Sequence, residues 1–254
     1  MTDPLEVRFE AEGRLLRLHL ARPKANLIDA EMIAALDEAF ARPAPSALTA
    51  ILIDAEGPNF SFGASVAEHL PGQCGAMLAS LHRLIRRIVG SEVPVLIAAH
   101  GRCLGAGLEL ALSGHLLFVA PDAELGQPEI RLGVFAPAAS CLLPELIGPS
   151  RAADLLFSGR TFSGVEAVSL GLAREAHANP ADAARAYATE HLLPKSASSL
   201  RHAVRAARCD FAARITQRLA QVEQQYLEEL MKSRDAIEGL EAFLEKRPPK
   251  WEHR

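Results

Sequence analysis

Apolar and polar positions alternate along residues 7–20, on either side of Glu12-Gly13. A period of two is typical of β-strands, so this pattern predicts a hairpin of VRFEA, a turn and LLRLHLA. The apolar runs over residues 49–55 and 95–99 predict buried strands. Between them, Asp29 is a plausible N-cap for a helix over residues 31–40.

Helical patterns dominate the rest of the chain. Apolar residues at helical spacing predict a helix over residues 77–89, and further helices are expected over 138–147, 151–158 and 163–169, with Gly171 ending the last one. From residue 181 the composition is helical throughout. One stripe recurs every three or four residues and could be intramolecular core or an oligomer face; it consists of Phe211, Ile215, Leu219, Val222, Tyr226 and Leu230.

Composition and charge exclude several classes. The 254 residues are 49% hydrophobic, enough for one large core or a core with a helical annex. A net charge of −4 without a basic block argues against nucleic acid or an anionic membrane as partner. The first residues are polar, and no apolar run has the length needed to span a membrane. The four cysteines follow no disulfide or zinc spacing. These features predict a soluble cytoplasmic protein.

Residues 100–132 hold the candidate chemistry. The turn Gly105-Ala106-Gly107 precedes Glu109 in an apolar run, and the turn Gly126-Gln127-Pro128 precedes Glu129. Two carboxylates framed by apolar sequence are candidates for shared acid/base work, because burial and mutual repulsion separate their pKa values. From spacing alone, a first-turn Glu favoured by the helix dipole and an ordinary GQPE turn remain possible.

The paired segments G-x-G-x-E and G-Q-P-E resemble the enoyl-CoA hydratase/isomerase (crotonase) family. The run SGRTFSGVEAVSLGLARE and the tail FLEKR are similar to later parts of the family pattern. The resemblance implies an α/β fold, a crotonase-like spiral of repeated ββα units with a C-terminal helical oligomerisation region. It places the spiral core in residues 1–195 and a helical trimerisation region in residues 196–254, and it favours an oligomer face for the apolar stripe.

The resemblance also implies a set of site residues. FSFGAS matches the family segment whose residue after the glycine donates a backbone N–H to the thioester oxygen. Ala64 and Ala106 are therefore the expected oxyanion-hole donors. Phe62 and Ser65 depart from the family's usual residues, and Phe62 is expected to reshape the acyl pocket. The residues expected to contact coenzyme A or substrate are Lys24, Ala25, Leu27, Phe62, Gly63, Ser65, Val66, Gly105, Phe243 and Lys246.

Carrying the family's chemistry over, Glu109 is the expected base and Glu129 the expected acid in the hydration of an α,β-unsaturated acyl-CoA. Having both carboxylates favours a hydratase over a double-bond isomerase. The coenzyme A thioester is the substrate, and no metal or other cofactor is expected. FSFGASVAEHLP and Pro137-Ala138-Ala139-Ser140 resemble members that hydrate a cyclic dienoyl-CoA in aromatic degradation.

The function, the assembly and the role of one loop histidine have further interpretations. A straight-chain enoyl-CoA hydratase and a non-catalytic acyl-CoA-binding scaffold are the alternative functions. A homotrimer or a dimer of trimers is the expected assembly. His69 lies in a loop rich in Pro and Gly, where a single histidine is more often a solvated polar group than a catalyst.

Overall fold

The computed structural model describes residues 3–254, and its N-terminal hairpin confirms the first prediction. Leu5 pairs with Leu20 and Glu10 with Leu15 in an antiparallel ladder. The strands are β1 (Leu5–Glu10), β2 (Leu15–Leu20), β3 (Ala50–Ala55), β4 (Val95–Ala99), β5 (Arg102–Leu104), β6 (Leu116–Val119), β7 (Glu124–Gly126), β8 (Thr161–Ser163) and β9 (Glu175–Ala176).

Two sheets organise these strands. The larger has the order β1-β2-β3-β4-β6-β9 and is parallel from β2 onward, whereas the smaller has the order β5-β7-β8. Because β2, β3, β4 and β6 run in one direction, the loops that follow them meet at one end of the sheet. The segments that follow β3 and β4 there hold the residues of the expected oxyanion hole.

Helices cover both faces of the larger sheet. Asp29 caps the first of them as predicted, since its carboxylate accepts the Met32 N–H at 3.0 Å. Among residues 3–254, none of the helices has both the length and the apolar character needed to cross a bilayer. The α-helices are α1 (Ala30–Ala41), α2 (Cys74–Val89), α3 (Ala106–Ser113), α4 (Pro137–Ile147), α5 (Pro149–Ser158), α6 (Gly164–Leu170), α7 (Pro180–Tyr187), α8 (Ala197–Glu228) and α9 (Arg234–Leu244).

The apolar stripe on α8 packs inside its own chain. Ile215, Leu219 and Tyr226 are at most 1% exposed and belong to the main core, beside α2 and α4. A hydrogen bond of 2.6 Å between His82 Nδ1 and the Glu223 carboxylate ties α8 to α2. The prediction that this stripe is an oligomer face is therefore wrong, because burying it within the chain already removes its apolar surface from water. Assembly through other surfaces of residues 196–254 stays a prediction.

Candidate active site

One of the two carboxylates lies on a helix that is buried along its whole length. Gly105, with φ 52° and ψ −129°, turns the chain from β5 into α3, a conformation open mainly to glycine. Glu109 follows in the first turn of α3 and is 3% exposed. Its Oε1 accepts the Ala139 backbone N–H at 2.9 Å, from the first turn of α4. Two helix N-termini thus stabilise a negative charge on Glu109.

The other carboxylate comes from the 3-10 helix Pro128–Leu132 that follows β7. Pro128 suits the start of this helix, where an N–H would have no partner, and Gly133 in the left-handed region ends it. A Cβ built on Gly105 would lie 2.7 Å from Glu129 Oε1. The glycine that begins the helix of Glu109 is therefore also the close neighbour of Glu129.

Gln127 is a polar neighbour of Glu129 that the sequence interpretation did not assign. It is 2% exposed, and with its amide nitrogen towards Glu129 it donates to Oε1 and Oε2 at 3.0 and 3.1 Å. A buried amide needs such a partner, and these bonds orient the Glu129 carboxyl group. The residue stands in the quoted G-Q-P-E segment, so its position directly before Pro-Glu was the available signal.

Burial shifts both carboxyl groups towards neutral pH. Removal from water raises the pKa of Glu109 to about 7, partly opposed by hydrogen bonds from the backbone of Ala139 and Ala138. Removal from water, and then the negative charge of Glu109, raise the pKa of Glu129 to about 8. Near neutral pH the pair therefore holds about one proton, which a pair that acts as base and acid requires.

The two expected oxyanion donors lie beside this pair. Ala64 and Ala106 both line the cavity that contains Glu109 and Glu129. Ala106 is the first residue of α3, so its N–H has no partner within the helix. A Cβ on Gly63 would lie 3.4 Å from the Ala106 nitrogen, so the two donor segments are adjacent. Gly63 itself is held by its N–H bond to Ser61 Oγ at 3.1 Å.

The cavity is small and mostly apolar. Its volume is about 80 Å³, and α2, α9 and the turn after Glu129 close it. Tyr226 of α8 supports its wall from behind, since the Tyr226 and Phe135 rings meet edge to face at 5.2 Å. The apolar lining that the sequence interpretation did not assign consists of Leu78, Leu81, Leu132, Val134, Phe135 and Leu240. These residues come from distant parts of the chain, so no local motif marked them.

The loop over residues 22–28 is joined to the oxyanion segment. Ala25 accepts the Phe62 N–H and Gly63 accepts the Ile28 N–H, each at 2.9 Å. The buried side chain of Asn26 fixes this loop, because its amide donates hydrogen bonds to the backbone carbonyl groups of Glu56 and Asn59 at 2.9 and 3.0 Å. Of the residues expected to contact coenzyme A here, Lys24 is exposed, whereas Ala25 and Leu27 are half-buried.

The other expected binding residues divide into two groups. Phe62, Gly63, Val66 and Gly105 line the cavity, and Ser65 adjoins it. Phe243 and Lys246 lie at the exposed C-terminal end of α9 and do not line this cavity. Their contact with coenzyme A stays a prediction.

His69 and Glu68 differ in their placement. His69 lines the cavity of the two carboxylates, and its Nδ1 lies 2.9 Å from the Ser65 carbonyl. A carbonyl accepts only from an N–H, so Nδ1 carries the proton. Burial lowers the pKa of His69 and keeps the ring neutral. His69 is therefore half-buried at the site rather than a solvated loop residue, while Glu68 lines a neighbouring cavity of about 320 Å³.

Comparison with protein families and curated proteins adds independent findings. The sequence model of the family described as enoyl-CoA hydratase/isomerase matches residues 10–254. Over its full length the chain is 59% identical to the cyclohexa-1,5-dienecarbonyl-CoA hydratase of Thauera aromatica, of which it covers 98%. It is 33% identical to a probable enoyl-CoA hydratase of Bacillus subtilis, with 92% of this chain and 93% of that protein covered.

Solved structures show the same fold. The enoyl-CoA hydratase of Bacillus halodurans superposes with a TM-score of 0.86, over 94% of this chain and 99% of that one. The two sequences are 21% identical, so this likeness concerns the fold alone. It confirms the prediction of a crotonase-like α/β architecture.

Proposed function

The chain belongs to the enoyl-CoA hydratase/isomerase family, and we propose that it hydrates cyclohexa-1,5-diene-1-carbonyl-CoA to 6-hydroxycyclohex-1-ene-1-carbonyl-CoA in aromatic degradation. Its activity is that of a hydratase acting on an unsaturated acyl-CoA. The observation that carries the proposed mechanism is one closed cavity that holds two carboxyl groups with raised pKa values beside two backbone N–H donors.

Polarisation of the thioester is the first requirement. Negative charge grows on the carbonyl oxygen as the nucleophile adds to the β-carbon, and fixed N–H donors stabilise it. In the proposed mechanism Ala64 and Ala106 donate to this oxygen. The N-terminus of α3 adds its partial positive charge at the same place. Each such donor typically contributes about 3 kcal/mol to the transition state.

The two carboxyl groups then divide the proton transfers. Glu109 accepts the Ala139 N–H, which favours its ionised form, and in our proposal that form removes a proton from the attacking water. Glu129, with a pKa of about 8, keeps its proton and acts as the acid. Gln127 fixes the plane of the Glu129 carboxyl group. All proton transfers use groups of this chain, so the proposed reaction needs no cofactor.

The ring determines where the second proton goes. Water adds its oxygen to the β-carbon, and the electron pair of that double bond moves towards the thioester carbonyl to form a dienolate. Protonation at the far end of the remaining double bond completes a 1,4-addition and leaves one ring double bond conjugated with the carbonyl. Water supplies the oxygen and the hydrogen of the new hydroxyl group, its other proton goes to Glu109, and the proton on carbon comes from Glu129. The pair still holds one proton in total, and its return from Glu109 to Glu129 restores the initial state before the next turnover.

The lining of the site supports a ring as the acyl group. The cavity around the two carboxylates measures about 80 Å³ and is closed by Phe135, Leu132 and Leu240. Phe62, which stands where the family usually has a small residue, contributes an aromatic wall on the oxyanion side. A compact apolar lining of this kind suits the hydrocarbon face of a ring close to the two carboxyl groups.

Parallel turnover of the cyclic dienoyl-CoA and crotonyl-CoA in deuterated water tests the substrate. We expect higher kcat/KM on the diene and deuterium at the carbon distal to the thioester, because the acid must reach the end of the conjugated system. Preference for crotonyl-CoA with deuterium at the α-carbon would instead identify a straight-chain hydratase. No turnover of either thioester despite binding would favour the scaffold alternative.

The pH profile tests the proton sharing. We expect kcat/KM to rise as Glu109 ionises near pH 7 and to fall as Glu129 loses its proton near pH 8. The measurement is steady-state hydration from about pH 5 to about pH 10. A rate that keeps rising above pH 9 would contradict a carboxylic acid as the proton donor.

Coenzyme A binding and assembly complete the proposal. We place coenzyme A along residues 22–28, with Lys24 towards a phosphate, and Phe243 and Lys246 at the coenzyme A of a neighbouring subunit. Their exposed position at the end of α9 supports contact outside their own cavity. A cytoplasmic trimer or dimer of trimers is the corresponding assembly, which sedimentation of the full chain would test.

A further inference from the structure

A larger cavity lies at the opposite end of the larger sheet from Glu109 and Glu129. It measures about 510 Å³, within the range of small-molecule sites. Leu16 and Ile51, at the beginnings of β2 and β3, and Val93, just before β4, form part of its wall. The site of Glu109 follows the other ends of these strands, so the two cavities do not share residues.

The floor of this basal cavity is apolar and partly open to solvent. Val7 and Phe9 are 44% and 55% exposed, and as alternate residues of the edge strand β1 they face the same side. Phe40 from α1 and Leu48 extend the apolar surface. Large exposed apolar side chains that line one concavity indicate a binding surface more than scattered ones do.

Its rim is basic. Arg42, Arg87 and Arg201 are each bonded already, to the Glu38 carboxylate, the Asp37 carboxylate and the Pro45 carbonyl. Arg86 differs from them, since within residues 3–254 its half-buried guanidinium has no ion pair and no hydrogen bond. In a protein with net charge −4, four guanidinium groups stand at this cavity.

The charge balance at the rim favours an anion. The one carboxylate in the described lining, Glu92, is 3.4 Å from Arg205 and so is already paired. Arg86 therefore has no acidic partner from the protein. A guanidinium with free N–H groups pairs with a planar carboxylate through two parallel hydrogen bonds.

We propose that the basal cavity binds a small amphipathic carboxylate, with its carboxylate on Arg86 and its hydrocarbon body against Phe9, Val7 and Phe40. The single unpaired guanidinium matches one negative charge, whereas a polyphosphate would need several free cations. The volume of about 510 Å³ leaves room for such a ligand. This site is separate from catalysis and does not depend on the identity of the acyl substrate.

Calorimetric titration of sodium decanoate into the full-length Glu109→Gln protein, with and without saturating crotonyl-CoA, tests the proposal, because this variant hydrates the thioester only slowly. We expect one saturable site per chain. Arg86→Gln should weaken binding at least about tenfold, because it removes the charge and the paired hydrogen bonds. Phe9→Ser should weaken it similarly through loss of apolar contact. Decanol, which lacks the charge, should bind more weakly than decanoate.

Arg151→Gln is the matched control, because Arg151 on α5 is exposed, has no ion pair among residues 3–254 and does not line the cavity. It should leave decanoate binding unchanged, and Arg86→Gln should leave hydration activity unchanged. Binding that crotonyl-CoA abolishes, or that Arg86→Gln does not affect, would overturn the proposal. So would a change of oligomeric mass in Phe9→Ser, because it would show that a second copy of the chain covers this surface.

Discussion

Replacing Glu109 or Glu129 by Gln is expected to lower kcat for hydration by about 10²–10⁴-fold, with KM nearly unchanged. An amide cannot exchange a proton with water at neutral pH, yet it has nearly the volume of the carboxyl group. In Glu109→Gln the amide oxygen can still accept the Ala139 N–H, so the helix contact is kept. Steady-state kinetics and coenzyme A thioester binding, measured on the same preparations, check both statements.

Glu175→Gln provides the control, because Glu175 is an exposed glutamate on β9. It should retain wild-type kinetics. If either site variant kept more than about a tenth of the wild-type kcat, the shared acid/base role would be wrong.

The same variants have a distinct stability signature. The folded protein raises the pKa of each carboxyl group above the unfolded value of 4.5. The stability that this shift contributes is complete below that value and is lost as pH rises through about 7 and 8. Compared with wild type, the Gln variants should therefore gain in Tm as the pH rises from about 5 to about 8, and the difference should stay constant at higher pH.

Gly105→Ala is expected to lower kcat/KM by about 10²-fold. The new methyl group would lie 2.7 Å from Glu129 Oε1 and would displace the acid from the cavity. The φ of 52° adds backbone strain of about 1–3 kcal/mol. Hydration kinetics together with the midpoint of denaturant unfolding separate the two effects.

Gly13→Ala controls for the strain. Gly13 has φ +82° in the first hairpin, and a Cβ there meets nothing within 4 Å. This variant should lose roughly 1 kcal/mol of stability and keep full activity. If both variants lost activity equally, the loss in Gly105→Ala would be due to backbone strain and not to the contact with Glu129.

The secondary structure was largely predictable because its signals are local. Alternation in residues 7–20, the cap at Asp29 and the left-handed Gly171 at the end of α6 depend on neighbours a few positions away. The stripe on α8 was different. Its periodicity correctly predicted one apolar face, but periodicity does not identify the surface that covers such a face, and here α2 and α4 of the same chain do.

The candidate site likewise contains residues that the sequence revealed and residues that only the structure revealed. Glu109, Glu129 and the glycines stand in short segments whose residue types reveal them, and the structure brings Ala64 and Ala106 into the same cavity. Leu240 and Phe135 could not be assigned to it from sequence, because they reach it from α9 and from the turn after Glu129.

The sequence by itself determined the family, most of the helices, the strands β1 to β4 and the paired carboxylates, since these depend on residue types at short spacing. The short strands β5 to β9 carry too few residues for a periodic signal and were not predicted. Only the tertiary structure decided that the cavity is closed to about 80 Å³, that His69 lines it, and that Gln127 bonds Glu129. The physical reason is that volume, burial and therefore pKa arise where distant segments pack against one another.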